Sequence, residues 1–551
     1  MLTYSKGQGR RPLVPLATLA AATAAALAAA GCGGGNATSA GDAGSSGSTT
    51  AASGGDTSTM TISRANDPTS LDPAQQVSTG GGLETLTAFY DRLIDLDAKG
   101  NLKPALATSW KQSSDGRTVT VKLRDGVRFR DGSPFDAGEV RFTWQRIVGM
   151  KAPAAQYWTN VKDVEAADPR TVVFHLKEPS PTFLPTLAGQ RGVYMGPSKA
   201  CVAKNEKKKG DWAKDYFTDH ECGTGAYQLD AWDHDQQITF DRNEDYWRGW
   251  DGNHVKRYVQ KIIKEPSTAQ LLLGKGQLDL AADALPIQVT QQLKKDQNVR
   301  IDSAPTTTID QIVFNADKKP LNDPRVRQAI AKLFDYDAAI QQAYAGDAER
   351  ARGPIPATVW PAIPSTVPQF DRDVEGAKKL LAEAGYANGF SLEFAVADIN
   401  QWKNLAVILQ SSLAEAKIDV KTTISTWPVL FSKLSKPKGE KPFDLAGFQM
   451  WAAIPDPSDI LMWWSTDAIT VINPGWGTKE SDQLIADAGN EMDHAKRVTL
   501  YEQLIERIAK DVPAIWIDQP RYLTPMRKNV VGYVYNPYYN GLLDFWALSK
   551  S

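Results

Sequence analysis

At 551 residues the chain is several times the common domain size of roughly 100–200 residues, enough for a large core or several lobes and far beyond a small stapled mini-domain. With 42% hydrophobic and 23% charged residues, and Lys+Arg 62 against Asp+Glu 64, it is neither wholly disordered nor a multi-span membrane protein. The near-neutral charge comes without a dense basic run, so there is no electrostatic footprint for nucleic acid.

The first segment reads as an export signal. Lys6, Arg10 and Arg11 precede an apolar, Ala-rich run from Leu13 to Ala30, ending in Ala29-Ala30-Gly31-Cys32. That ending resembles the lipobox of bacterial lipoproteins, with Ala29 where the lipobox usually has Leu. The resemblance implies a signal over residues 1–31 and a lipid-attached Cys32 on the outer side of the cell membrane. A plain secretory signal or a short uncleaved helix is the alternative. Residues 32–58 are almost only Gly, Ser, Thr and Ala. Lacking large apolar groups they cannot offset the entropy of ordering, so a flexible tether spanning roughly 30 Å is expected. No later apolar segment approaches the roughly 20 residues needed to cross a bilayer, so membrane attachment rests on the lipid.

From Thr59 to about Ser303 the sequence is strand-like. Thr118–Leu123 alternates, followed by Asp125-Gly126 and Asp131-Gly132, which predicts hairpins, and Thr171–Leu176 and Gln237–Phe240 repeat the pattern. Cys201 and Cys222 bracket a Lys-rich loop. In an exported chain they are expected to pair, a closure contributing about 3 kcal/mol; two buried free thiols are the alternative. The five His are scattered and none has ligand spacing to the Cys pair, so no metal site is expected.

After Ala304 the character changes. Asp323 as N-cap and Pro324 at the first position predict a helix with Val326, Ile330, Leu333 and Phe334 on one face. Further helices are predicted over Ala377–Ala384, stopped by Gly385, over Asn404–Ala416, and from about Lys496 to Lys510. Ile418–Ile424 and Ala514–Ile517 read as strands, and Tyr533–Trp546 as a strand-like return to the first section. Helices alternating with strands imply an α/β lobe here and a lobe of different build before it.

Neither a Gly-x-Ser-x-Gly elbow, a Walker loop, a zincin helix nor a dinucleotide fingerprint occurs in the right context. Gly80-Gly81-Gly82 precedes Leu83 without the Lys-Ser/Thr of a phosphate loop. No catalytic residue, metal or cofactor is singled out. A secreted hydrolase with a carboxylate pair stays open as a rival, because such acids meet in space and not in sequence.

Residues 60–551 resemble the bacterial extracellular solute-binding proteins of the peptide/nickel/oligopeptide class (family 5), which serve ABC importers. The resemblance is carried by Tyr90-Asp91-Arg92-Leu93, Leu106-Ala107-Thr108-Ser109-Trp110, Leu123-Arg124-Asp125-Gly126-Val127-Arg128-Phe129 and Asp131-Gly132-Ser133-Pro134, in order and spacing. Ser70-Leu71-Asp72-Pro73, Gly223-Thr224-Gly225-Ala226-Tyr227, Val326-Arg327-Gln328-Ala329-Ile330 and Gly353-Pro354-Ile355-Pro356 support it. It implies an α/β two-lobe periplasmic-binding-protein (Venus-flytrap) fold with an extra subdomain inserted in the first lobe. Lobe 1 is expected over 59–304, lobe 2 over 305–519 and a return to lobe 1 over 520–551, with hinge crossings near Ala304-Pro305 and Gln519-Pro520. The implied protein is no enzyme but a monomeric receptor delivering a peptide or oligosaccharide to membrane permease subunits.

In the family's peptide binders, a stretch from Phe-Asp through Trp to an acidic residue and Pro carries an Asp that pairs with the peptide's ammonium. Here it runs from Phe443-Asp444 through Met450-Trp451-Ala452-Ala453-Ile454-Pro455 to Asp456-Pro457, and the anchor position falls on Ala453 or Ile454, neither of which binds a cation. Peptides with a free amine are therefore disfavoured unless Asp456 or another acid has taken the role. The region is rich in Trp, whose flat faces suit sugar rings and apolar ligand bodies, so a neutral oligosaccharide or amine-blocked peptide competes. The candidate ligand residues are Trp402, Met450, Trp451, Ala453 and Asp456. Trp402 and Trp451 stand equally well as pocket or core, whereas Trp427, Trp463 and Trp464 are expected in the core.

Overall fold

A computed structural model describes residues 58–76, 82–190, 194–436, 439–466 and 476–551. The signal, Cys32 and nearly all of the tether lie outside these described residues. None of the described helices is long and apolar enough to cross a membrane.

Twelve strands form the frame. In the first lobe are β1 (Thr59–Arg64), β2 (Tyr227–Asp233), β3 (Gln237–Arg242), β4 (Arg257–Ile262), β5 (Leu280–Ala281) and β6 (Val299–Pro305). In the second are β7 (Thr308–Phe314), β8 (Ala348–Arg350), β9 (Ser391–Ala397), β10 (Asp419–Ser425) and β11 (Leu445–Trp451). β12 (Ala514–Arg527) runs through both, and the order is β10-β9-β11-β7-β12-β5-β1-β4-β3-β2, with β6 and β8 also paired to β12. Its 14 residues extend roughly 46 Å at about 3.3 Å each. Asp518 to Ala514 pair with β7, whereas Arg521 to Arg527 pair with β6. The two lobes are therefore joined where Thr306-Thr307 and Gln519-Pro520 pass between the ladders. The junction is tied: the Thr306 hydroxyl donates to the Pro520 carbonyl (2.6 Å) and the Gln519 amide to the Thr306 carbonyl (2.5 Å).

The inserted subdomain is a four-stranded antiparallel sheet of Ala107–Gln112, Thr118–Leu123, Thr171–Leu176 and Val161–Asp168, in that order. Alternation works as expected, with Val119, Val121 and Leu123 buried. The expected turn is displaced: Thr118–Leu123 reaches its hairpin partner through Ser113–Gly116, and Asp125-Gly126 opens a loop. Helix α1 (Ala137–Gly149), capped by Asp136 on the Glu139 N–H, packs on this sheet. Its Arg146 forms a bidentate pair with Asp72 at 2.7 and 2.8 Å, fully buried.

In the second lobe lie α2 (Pro324–Leu333), α3 (Tyr336–Tyr344), α4 (Val374–Glu383), α5 (Asn400–Ala414), α6 (Trp427–Leu434), α7 (Lys479–Asn490) and α8 (His494–Asp511). Asp323 caps α2 by accepting from the Arg325 N–H, as read from sequence, and Val326, Ile330, Leu333 and Phe334 are buried. Helix α5 starts earlier than expected, at Asn400.

The strand-like reading of Tyr533–Trp546 is corrected. Only Val530–Val531 and Ser549–Lys550 pair, and between them Pro537 and Gly541 (φ +86°) break any ladder. The aromatic groups are there for docking: the Tyr539 hydroxyl accepts from Leu96 N–H (2.7 Å) and donates to the Ala188 carbonyl (3.0 Å), and Tyr258 donates to the Phe545 carbonyl (2.8 Å).

Candidate functional site

β11 lies antiparallel to β7, with Trp451 opposite Thr308, Met450 opposite Ile309 and Gln449 opposite Asp310. Beyond Trp451 the chain turns at the seam between lobes. The turn is held by the Thr307 hydroxyl on the Ala452 carbonyl (2.8 Å), the Ala453 N–H on the Asp459 carboxylate (2.6 Å) and the Trp360 indole on the Pro455 carbonyl (2.9 Å). It meets the first lobe closely: a Cβ on Gly100 would sit 2.7 Å from Pro455 Cβ, and one on Gly189 3.3 Å from Ile454 Cγ2. Two cavities of about 270 Å³ each lie at this seam, one lined by Thr182, Ile454, Asp459 and Tyr501, the other by Pro286, Gln288, Ile399 and Asn400.

The five candidate residues occupy different settings. Met450 (5% exposed) and Ala453 (8% exposed) are buried, while Trp451 is half-buried. Trp402 is 4% exposed and lies on the sheet over Gly447, where a Cβ would come within 2.5 Å of the Trp402 ring. Asp456 is 2% exposed and committed elsewhere: its two oxygens take Arg497 at 2.8 and 2.9 Å, and one also accepts the Ser458 N–H (3.0 Å) and hydroxyl (2.6 Å). Arg497 donates further to the Ala488 carbonyl and the Tyr501 hydroxyl. The Asp456 charge is thus paired with Arg497 inside the second lobe. Trp427 departs from the core expectation: it is 39% exposed, with one face stacked on Phe448 (centroids 5.9 Å, 10° apart). Trp464 is buried as expected.

Sequence reading missed two acids. Asp310 and Asp518 sit opposite each other on β7 and β12, at 1% and 0% exposure. A bulge brings them together, since the register passes from Gln311–Trp516 to Asp310–Asp518, skipping Ile517. The Gln449 amide donates to Asp310 Oδ1 at 3.0 Å, whereas Asp310 Oδ2 and both oxygens of Asp518 have no hydrogen-bond donor among the described residues. Burial, opposed by the Gln449 bond, raises the Asp310 carboxyl to about 7. Burial, then the Asp310 charge, pushes Asp518 well above the carboxylate range, opposed by Arg350.

Cys201 and Cys222 are free thiols in this structure, in place of the expected bridge. Their sulfurs and a carboxylate oxygen of Asp131 all lie within 4.8 Å of one another. Contact with Cys201 and burial push the Cys222 thiol up. The pair borders a cavity of about 760 Å³ on the inserted side of the first lobe, away from the Trp451 turn.

Comparison with known proteins gives one consistent picture. The profile of bacterial extracellular solute-binding proteins, family 5 Middle, matches residues 101–470. An Escherichia coli (strain K12) protein named "Probable D,D-dipeptide-binding periplasmic protein DdpA" is 28% identical over 507 residues, 89% of this chain and 94% of the relative. Glutathione-binding protein GsiB of the same strain is 27% identical over 459 residues, 81% and 86% of the two chains. Among solved structures, the periplasmic binding protein DppA from Helicobacter pylori in complex with peptide STSA matches with TM-score 0.72 and 27% identity, covering 89% of this chain and 98% of that one. HbpA2 from Haemophilus parasuis matches with TM-score 0.78 and 26% identity, covering 90% and 100%.

Proposed function

The chain belongs to the bacterial extracellular solute-binding proteins of family 5, and from that premise we propose that it is the lipid-anchored receptor of an ABC importer, capturing an oligopeptide-like solute between its lobes and delivering it to the membrane permease. The observation that carries this reading is the shared strand β12. Among the described residues it leaves two narrow crossings, at Thr306-Thr307 and Gln519-Pro520, about which the lobes hinge, with the Trp451 turn at the seam they close. Lobe 1 then spans 59–304, lobe 2 305–519, and 520–551 return to lobe 1. Closure is a population shift: a solute touching both lobes only in the closed state favours that state by its difference in affinity. The permease reads the closed shape. Attachment is through the lipid on Cys32, and the receptor works as a monomer without cofactor or covalent chemistry.

A second reading, a neutral oligosaccharide or amine-blocked peptide, is favoured by Ala453 and Ile454 at the position where peptide binders carry an acid. Native mass spectrometry of the protein from its own producing cells tests both. An intact co-purified solute of peptide mass is expected; a hexose-spaced or amine-blocked mass selects the second reading. Turnover of a labelled cell-wall fragment would instead place the protein with the secreted hydrolases.

A further inference from the structure

The geometry points to Asp310 and Asp518 as the receptor for a cationic head, a primary ammonium or guanidinium, on the captured solute. This rests on the solute-receptor reading above and names the chemistry of its ligand. Side chains alternate along a strand, so Trp451, Gln449 and Gly447 share one face of β11, and the Gln449 bond to Asp310 fixes which face that is. Counting inward from the seam, the rows on that face are Trp451 with Thr308, Gln449 with Asp310 and Asp518, and Gly447 with Ile312, the last covered by Trp402. The acid row is thus bracketed by the two Trp residues that sequence left undecided between pocket and core. The bulge at Ile517 turns Asp518 to the face of Asp310, a re-aiming that regular pairing would not give.

Charge balance makes the same point independently. Three of the four carboxylate oxygens have no donor among the described residues. Neither acid has an ion pair among them, and Arg350, the nearest opposing charge, spends its guanidinium on the carbonyls of Trp516, Ile517 and Phe370. Two buried acids face to face hold one charge between them at most unless a cation enters, and a multi-donor cation satisfies both. The ammonium partner missing at Ala453 and Ile454 is thereby supplied from the neighbouring strands, while Asp456 stays with Arg497.

The test titrates the full chain and its Asp310→Asn/Asp518→Asn variant with L-Ala-L-Ala, D-Ala-D-Ala and glutathione, the N-acetylated form of each, and maltotriose. Circular dichroism and urea midpoints confirm that the near-isosteric variant folds. A free-amine probe is expected to bind, with N-acetylation and the double substitution each weakening it roughly tenfold or more and not adding when combined. A free-amine probe bound equally by both proteins, or binding by N-acetylated probes or maltotriose alone, overturns the inference and leaves the receptor reading standing. Where no probe binds, the solute carried from the producing cells decides. An amine- or guanidine-bearing mass lost from the variant supports the inference, and a neutral mass overturns it. Absence of any solute and any binding removes the receptor reading and this inference with it.

Discussion

Asp456→Asn separates a scaffold acid from a ligand acid. In the folded protein Asp456 and Arg497 are 3% and 5% exposed at the side chain and joined by two bonds of 2.8 and 2.9 Å. Replacing the carboxylate leaves a buried guanidinium uncompensated, which costs about 3–5 kcal/mol. The same substitution weakens the cap on Ser458, and with it the seating of the turn that carries Ala453 to Pro457. With a urea m-value of about 3 kcal/mol per molar, a loss of about 4 kcal/mol lowers the midpoint by roughly 1.3 M. The apolar pair Asp456→Leu with Arg497→Met removes both charges and is expected to recover most of that loss, because exchanging a buried ion pair for packed apolar groups is often neutral. Measured well below the midpoint, all these variants should keep the affinity of the parent for its solute. A midpoint unchanged in Asp456→Asn together with lost solute affinity would refute the reasoning and make Asp456 the anchor after all.

Three further outcomes are expected. The raised Asp310 carboxyl favours the folded state while protonated: that contribution is fully present below the unfolded value near 4 and is lost as pH rises through about 7. Asp310→Asn should therefore be more stable than the parent at pH 8, by roughly 1–3 kcal/mol, with the advantage gone near pH 4; equal stability at both pH values contradicts it. Trp402→Ala should cost about 3–5 kcal/mol and Gly447→Ala about 1–3 kcal/mol, since the first empties and the second overfills the same contact. A Trp402→Ala urea curve overlying that of the parent would take Trp402 out of the core. Protein unfolded and titrated for thiols should show two from Cys201 and Cys222, the free pair of the structure; none from them would show that they bridge in an oxidising compartment.

Legibility from sequence tracked how local each feature is. The Asp323-Pro324 start, the Gly385 stop (φ +87°) and the buried alternation of Thr118–Leu123 need only their neighbours, and all three hold in the structure. The family blocks gave the two-lobe fold because they are spread along nearly the whole body. What failed needed a distant partner. Asp456 reads as a spare acid until Arg497 arrives from α8, and Asp310 reads as an ordinary strand residue until a bulge in β12 sets Asp518 against it. An acid set among apolar strand residues, Ile309-Asp310-Gln311-Ile312 against Ile515-Trp516-Ile517-Asp518, was the available signal. Trp427 was misjudged because it opens α6, where the ring meets Phe448 and Phe431 and still stays 39% exposed. In Tyr533–Trp546, aromatic residues were mistaken for a ladder when they bond to separate partners, Tyr539 to the Ala188 carbonyl and Tyr538 to the Thr358 carbonyl.

Small-angle scattering of the protein with and without its co-purifying solute tests the central claim most directly. Lobes hinged at Thr306-Thr307 and Gln519-Pro520 should draw together, so the radius of gyration falls on solute addition and recovers on its removal. A solute that binds tightly and leaves the radius unchanged would contradict capture by closure.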